Sequence, residues 1–544
     1  MNKPDKRKKS FVRRDYDTII TGFALIGTMI FRISLEHMIG DKGLACYGTA
    51  YEIYYVLGGM IAYGLSEAVC TLVRYRIRRE QYKNAQKVLG SALMLGGIIG
   101  TLLSILLGLL GHVFSEKVLK VPLAGLSVSI MAPAIVFFIL TGVFRGYFQG
   151  NGSRMPAIHS RILQIVVLFI SGLVFSKIFG GYGSRVSALL QNDDFTGAYG
   201  AMGASLGIFT ASLLCFLHML VLYLLLKANR QSQMTREMSR VQDTRFHIFH
   251  MLFGSGVLYF LYWFFFQGQT LVGELIMMRY AGESNDMLTA WGAYYGKVLS
   301  VVGILCCLLG MICLPSVRKL VALLEKDEYR LAREKMGTLI HLSAALSVPT
   351  TILLAVFSEN LLDVLFGGSN ERTAAWLQLG SIMVVLYLFS MIFMEFLLRS
   401  RKLAYVTGIG AGAFLLYTIL LIMMAKSPKL GINALVIAGI VFYAFVAIGG
   451  FLLVGRRIQY RQEWLRGIIL IILSGAVSGI IAMLLNRAIV SLTGELISFC
   501  ICFVVAIAVY LVLLTVTRAI TPDEMEKIPG GWLLIKLTEL FRIV

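Results

Sequence analysis

The sequence predicts an all-α polytopic membrane protein, with about fourteen transmembrane helices in two six-helix pseudo-repeat lobes and two further C-terminal helices. Three observations carry that prediction. Hydrophobic residues make up 58% of the 544 and charged residues only 15%, and mean hydropathy is +0.78, far more apolar than a soluble domain needs. Apolar stretches of the roughly 20 residues that cross a bilayer recur along the chain, separated by short polar connections. Finally, two blocks of sequence recur in the same order in the two halves.

Taken in order, residues 1–15 are read as a cytoplasmic basic tail, MNKPDKRKKSFVRRD. The apolar segment behind it is too long for a signal-peptide core and has no small-residue cleavage site, so it is expected to be an uncleaved helix. Six spans, at 16–38, 47–73, 88–112, 124–144, 161–179 and 199–226, form an N-lobe over 16–226. A cytoplasmic linker follows at 227–250. Six more spans, at 251–278, 288–314, 337–357, 374–397, 404–425 and 432–455, form a C-lobe over 251–455, and spans at 467–486 and 496–516 complete the set within 466–516. The tail over 517–544 is expected to be cytoplasmic and amphipathic. Thr521 and Glu524 make a capping box, and Leu533, Leu537, Leu540 and Phe541 make an apolar stripe suited to the membrane interface or to a partner.

Orientation follows from Lys and Arg, which are retained on the cytoplasmic side. With the N-terminus inside, the inner segments carry 38 of these residues and the outer loops 10, which places both termini in the cytoplasm. The net charge of +20 is spread over every inner connection, so it fits topology and anionic membrane lipids and not a nucleic-acid partner. The eight cysteines lie mostly inside apolar segments without CxxC pairs, so no metal site is expected.

The repeat is read from REQYKNAQKVLGSALML at 79–95 followed by VFSEKVLKV at 113–121, against KDEYRLAREKMGTLIHL at 326–342 followed by VFSENLLDV at 356–364. FRGYFQGNGSRMPAI from Phe144 aligns more faintly with FMEFLLRSRKLAYVT from Phe393. A six-span unit is even, so both copies enter the membrane in the same direction. Transporters built this way bind cargo between their lobes.

Ionisable residues inside spans are costly in lipid and mark cavities or paths. Arg32 lies within FALIGTMIFRISLEHMIG, with Glu36 one turn later; it is read as a cavity-facing cation or as one half of a local pair. Lys297 lies near mid-depth in AWGAYYGKVLSVVG, where snorkelling is hard, and is the second candidate cargo contact. Glu274 and Arg279, expected near the outer interface, are either substrate-binding or anchoring. Glu67, two turns before Arg74, is a candidate ion-coupling residue or part of a structural pair. Glu395 and Arg399 read as a structural pair, and His247 and His250 as interfacial.

IGDKGLACY at 39–47 resembles the glycine-punctuated loop after the first span of the bacterial polysaccharide and lipid-linked oligosaccharide flippases, with Ala45 where that family commonly repeats glycine. GVFRGYFQGNGSRMPAIHSRILQIV at 142–166 and GAYGAMGASLG at 197–207 resemble the family's fourth-to-fifth-span connection and the opening of its sixth span. Within that family the chain looks like the stage V sporulation protein B type, in the superfamily that also holds multidrug antiporters. The resemblance implies a flippase in the bacterial plasma membrane. Its cargo would be an undecaprenyl-pyrophosphate-linked sugar moved to the outer leaflet by alternating access, with cell-wall or polysaccharide synthesis enzymes as partners. It also implies that Arg32, in the first-span position where the family places a cavity arginine, holds pyrophosphate. No cofactor is implied, and membrane potential, Na+ and H+ all stay open as energy sources.

Two other classes compete. A cation-coupled multidrug antiporter of the same superfamily usually has twelve spans and an embedded acidic coupling residue, whereas the deepest charges here are basic. A membrane polymerase or ligase would carry catalytic residues on a large outer loop. The longest outer loop expected here, 180–198, holds only Arg185, Asp193 and Asp194, so the chain is not expected to be an enzyme.

Overall fold

The computed structural model describes residues 6–235, 237, 243–281, 285–368, 370–427, 430–460 and 468–517. Among them there is no strand, and thirteen helices are long and apolar enough to cross a membrane. The chain is therefore an all-α polytopic membrane protein. In order the helices are α1 (Lys6–Ile53), α2 (Gly59–Ile77), α3 (Tyr82–Val113), α4 (Ala124–Gly150), α5 (Met155–Leu190), α6 (Asp194–Leu225), α7 (Lys227–Thr235), α8 (Arg245–Ala281) and α9 (Asn285–Ala293). They continue as α10 (Leu299–Leu324), α11 (Tyr329–Val356), α12 (Ser358–Phe366), α13 (Glu371–Gly380), α14 (Ile382–Arg399), α15 (Leu403–Ala425), α16 (Asn433–Ile458), α17 (Leu470–Thr493) and α18 (Glu495–Val516). Short π-helical turns occupy Tyr54–Gly58, Phe114–Val118 and Tyr294–Val298. The expected C-terminal tail helix, with Thr521, Glu524 and its leucine stripe, lies outside the described residues.

Two connections are shorter than the sequence suggests. Spans one and two lie in one 59-residue stretch, Ile19–Ile77, and the loop expected after the first span shrinks to one non-helical residue inside α1, Gly40 (φ 68°, ψ 178°). Only glycine holds that conformation cheaply, so the helix breaks there and resumes at once. The outer loop expected over 180–198 is also largely helical, because α5 runs to Leu190, where Gln191 (φ 51°) caps it, and α6 starts at Asp194. Tertiary contacts explain the extension. Ser187 Oγ and Thr196 Oγ1 are 2.9 Å apart, Gly183 packs on Phe195 and Tyr199, and Lys42 Nζ pairs with Asp194 Oδ1 at 2.7 Å.

The chain forms two compact units, Met1–Gly296 with Gly410–Leu435, and Lys297–Ile409 with Val436–Val544. In the first, α5 turns Ile162, Val166, Ile170, Val174 and Ile178 outward at four-residue spacing, all exposed, and buries Gly172 and Ser176. That inversion of a soluble helix is what lipid demands. Gly203 and Gly207 of α6 approach Phe175 and Gly172 of α5 closely enough that a Cβ on either would clash with backbone. In the second unit, α17 and α18 anchor on α11. Ala344, Ala345 and Val348 pack with Ile471, Tyr510 and Leu514, and Leu353 and Phe357 pack with Ala482, Cys502 and Ala506. The Tyr510 hydroxyl donates to the Ala345 carbonyl at 2.8 Å.

The local backbone repeats with the sequence. Left-handed residues occur at Glu80 and Asp327, each two residues before the tyrosine that opens α3 or α11. They recur at Lys120, inside the second matched block, at Gly367, just after its counterpart, and at Gly152 and Arg401 in the fainter one. Two of the π turns also begin on the same dipeptide, Tyr54–Tyr55 and Tyr294–Tyr295. π turns concentrate at functional sites.

Candidate functional site

One buried polar cluster lies wholly within the first unit, and α1 supplies most of it. Before the break at Gly40, α1 carries Arg32; after it, α1 carries Thr49, Tyr51 and Glu52. The guanidinium sits 4.0 Å from Glu52 Oε1, with side-chain exposures of 12% and 7%. Its central carbon lies 4.3 Å from the Tyr295 ring centroid and 4.9 Å from that of Tyr51. A charge taken this far from water survives only with a counter-charge and a polarisable surround. Glu52 supplies the first, and the two electron-rich ring faces supply the second. Arg32 Nε has no hydrogen-bond partner.

A second carboxylate completes the cluster. Glu274, on α8, is 0% exposed, and its Oε1 receives the Thr49 hydroxyl. Trp291, from α9, lies against Glu274, and Tyr295, from the π turn, lies against Glu52. Neither the Trp291 indole N–H nor the Tyr295 hydroxyl makes a hydrogen bond of ordinary geometry there, and Glu274 Oε2 has none either. The cluster thus holds one permanent cation, whose Nε has no partner, and two carboxylates faced by the Trp291 and Tyr295 donors.

The approach of α9 and its π turn depends on absent side chains. A Cβ on Gly292 would lie 1.8 Å from the Asp41 carbonyl oxygen, so only glycine permits that contact. Gly48 is in turn covered by the Tyr295 ring, 2.8 Å from where its Cβ would be.

Of the residues singled out from sequence, Arg32 and Glu274 come together here. Glu274, expected to be either anchoring or substrate-binding, is buried against the part of α1 that follows Gly40, where Thr49 donates to it. Arg279 is exposed near the end of α8. Glu67 is half-buried, within electrostatic reach of Cys70 and Tyr259, while Arg74 donates to Cys70 Sγ at 3.2 Å. Lys297 belongs to the second unit, where its Nζ lies 5.5 Å from the Phe366 ring centroid. Glu395 and Arg399 form the expected ion pair. Sequence reasoning missed Glu52, although Glu52 in GTAYEIYYVLGG satisfies the same rule that found Arg32, an ionisable residue inside an apolar run. Thr49, Trp291 and Tyr295 carried no such signal.

Residues 17–202 match the family model described as polysaccharide biosynthesis protein. Stage V sporulation protein B of Bacillus subtilis (strain 168) is 23% identical over 546 residues, covering 96% of this chain and 98% of that one. The resemblance is thereby shown. The chain resembles the polysaccharide and lipid-linked saccharide flippases. Among solved structures, the lipid II flippase MurJ in an inward closed conformation superposes with a TM-score of 0.66 at 14% identity, over 92% of this chain and 98% of that one. A multidrug resistance MATE transporter of the MOP superfamily, inward-facing, superposes at 0.61 and 13% identity, over 80% and 94%. The chain shares the fold of these two structures, and the flippase covers more of the chain than the multidrug transporter does.

Proposed function

We propose that this protein is a flippase moving an undecaprenyl-pyrophosphate-linked oligosaccharide, or another cell-wall or polysaccharide precursor, from the inner to the outer leaflet by alternating access. The observation that carries this reading is Arg32. Its guanidinium is buried and held between two rings, and Glu52 is 4.0 Å away, against the roughly 2.8 Å of a tight charge-assisted bond. The geometry keeps the cation desolvated yet leaves donors for an incoming anion. A pyrophosphate pays heavily to leave water, and a planar guanidinium offers two parallel N–H donors to its oxygens. The lipid tail needs no protein path, because it stays in the bilayer. The similarity to a lipid II flippase and to stage V sporulation protein B supports the cargo class. The Lys and Arg asymmetry supports a plasma membrane with both termini in the cytoplasm. Lys297 is proposed as a further cargo contact, tested by its own charge reversal.

A second reading has an observation of its own. Glu52 and Glu274 place two buried carboxylates in one cluster, which suits a cation-coupled multidrug antiporter.

Purified protein in liposomes distinguishes the two. Leaflet translocation of a labelled undecaprenyl-pyrophosphate saccharide that falls at least about a hundredfold in Arg32→Gln, a loss of about 2.7 kcal/mol, supports the flippase. Movement of a cationic dye driven by an ion gradient, with the saccharide lipid static, replaces it with the antiporter.

A further inference from the structure

The Arg32 cluster does not end at Tyr51. Along α1, the π turn and α2, aromatic residues recur every four positions as Tyr47, Tyr51, Tyr55 and Tyr63, and the remaining position of that row, the fourth, is Gly59. Trp263 of α8 fills the gap, because the indole nitrogen lies 2.6 Å from where a Gly59 Cβ would stand. Its N–H donates to the Tyr55 carbonyl at 3.2 Å, which fixes the ring in place. Successive ring centroids are 5.8 Å apart from Tyr47 to Tyr51, 5.6 Å from Tyr51 to Tyr55, 5.3 Å from Tyr55 to Trp263 and 5.2 Å from Trp263 to Tyr63. Tyr262 and Tyr259 continue the row at 5.9 and 6.0 Å from Tyr63. At that end lies Glu67, within electrostatic reach of Tyr259; at the other lies Arg32. An i+4 row drifts around an ideal α-helix, and the π turn at Tyr54–Gly58, with its wider turns, winds the row partly back. From Tyr47 to Tyr63 the row climbs about 24 Å at 1.5 Å per residue, most of the roughly 30 Å hydrocarbon thickness.

Two features separate this row from ordinary core packing. Beyond Tyr47, which is buried at the Arg32 end, Tyr51, Tyr55, Tyr63, Tyr259, Tyr262 and Trp263 are all half-buried, so each of these rings keeps accessible surface, unlike Tyr54 and Tyr295, which are buried. Tyrosines also carry hydroxyls, which suit membrane interfaces and polar paths better than a lipid-facing mid-span position. The neighbouring exposed residues of α8, Phe253, Leu258 and Leu261, show the side-chain chemistry that lipid contact favours.

We propose that this aromatic row is a saccharide track: the pyranose rings of the cargo stack on successive aromatic faces while Arg32 holds the anionic group. The proposal rests on the flippase reading and adds the sugar-binding half of the site. Axial C–H groups on one face of a pyranose are weakly positive and apolar, and they match the negative face of an aromatic ring. Hydroxyls on the sugar's rim find phenol groups along the same row. Tyr55, Trp263 and Tyr63, 5.3 and 5.2 Å apart and tilted by 58° and 33°, offer a fresh ring before the last is released, so no single stacking contact traps the cargo. Stacking selects for ring shape and not for one hydroxyl pattern, so the track would accept several saccharides.

The test compares two lipids in liposomes, undecaprenyl pyrophosphate and the same lipid carrying a disaccharide. The variants are Tyr63→Leu and Tyr55→Leu, which keep apolar volume without a ring, and Tyr63→Phe and Tyr55→Phe, which keep the ring. Thermal unfolding confirms that each is folded. The expected result is that the ratio of glycosylated to bare lipid movement falls about tenfold in each leucine variant, the loss of about 1.4 kcal/mol of stacking, and holds within twofold in each phenylalanine variant. An unchanged ratio in the leucine variants overturns the track and leaves the row as helix packing. Wild-type protein that moves neither lipid overturns the flippase reading itself, which separates the two failures.

Discussion

Arg32 and Lys297 are both cations deep in apolar helices, yet their side chains differ in kind. Arg32 is surrounded by an ion-pair partner and two aromatic faces. For Lys297, in the other unit, the described surroundings include one ring, Phe366, at 5.5 Å. Depth alone, which is all the sequence offers, ranks the two together. On the flippase reading, a guanidinium held between rings makes the better binding cation. A guanidinium is planar and always charged, so it can be pre-oriented between rings, whereas an ammonium on a flexible stem cannot be held in one plane.

The largest effect comes from dismantling the surroundings of Arg32 without touching the charge. Gly292→Val forces a side chain into the Asp41 carbonyl. It is expected to cost about 3 kcal/mol or more and to abolish transport, seen as a lower unfolding temperature and lost lipid movement. Next are the exchanges of one cation for the other. Arg32→Lys keeps charge but loses the planar fork, and transport should fall about tenfold, while Lys297→Arg should stay within about threefold of wild type. Equal losses in the two exchanges would erase the distinction drawn here. Smallest is Arg279→Gln on the exposed end of α8, expected to change transport by less than about twofold and stability by under about 0.5 kcal/mol.

The spans, their order and most of their boundaries were legible because bilayer thickness acts on every residue of a helix at once. The connections were not. The Gly40 break and the helical run to Leu190 depend on contacts such as Lys42 with Asp194 and Ser187 with Thr196, which join residues far apart in the chain or close a turn that composition alone reads as a loop. The site divides similarly. Arg32 was legible as a charge in an apolar run. Glu52 was equally so but was hidden among tyrosines, and the burial of Glu274 was not legible, because nothing in its own segment shows that Thr49 and Trp291 lie against it. The aromatic row needed the Gly59 gap to be filled from another helix, a fact that exists only in three dimensions.

The most direct test of the central claim, that Arg32 is held ready for an anion, uses Glu52 as its competitor. The affinity of purified protein for undecaprenyl pyrophosphate is measured in wild type, in Glu52→Gln and in the double variant Arg32→Gln with Glu52→Gln. Removing the carboxylate frees the guanidinium, so Glu52→Gln should bind about tenfold tighter, a gain of about 1.4 kcal/mol. The double variant, which leaves no uncompensated charge between these two positions, should stay folded and bind at least about tenfold more weakly than wild type. If Glu52→Gln binds no tighter and the double variant binds as wild type does, Arg32 does not hold the pyrophosphate.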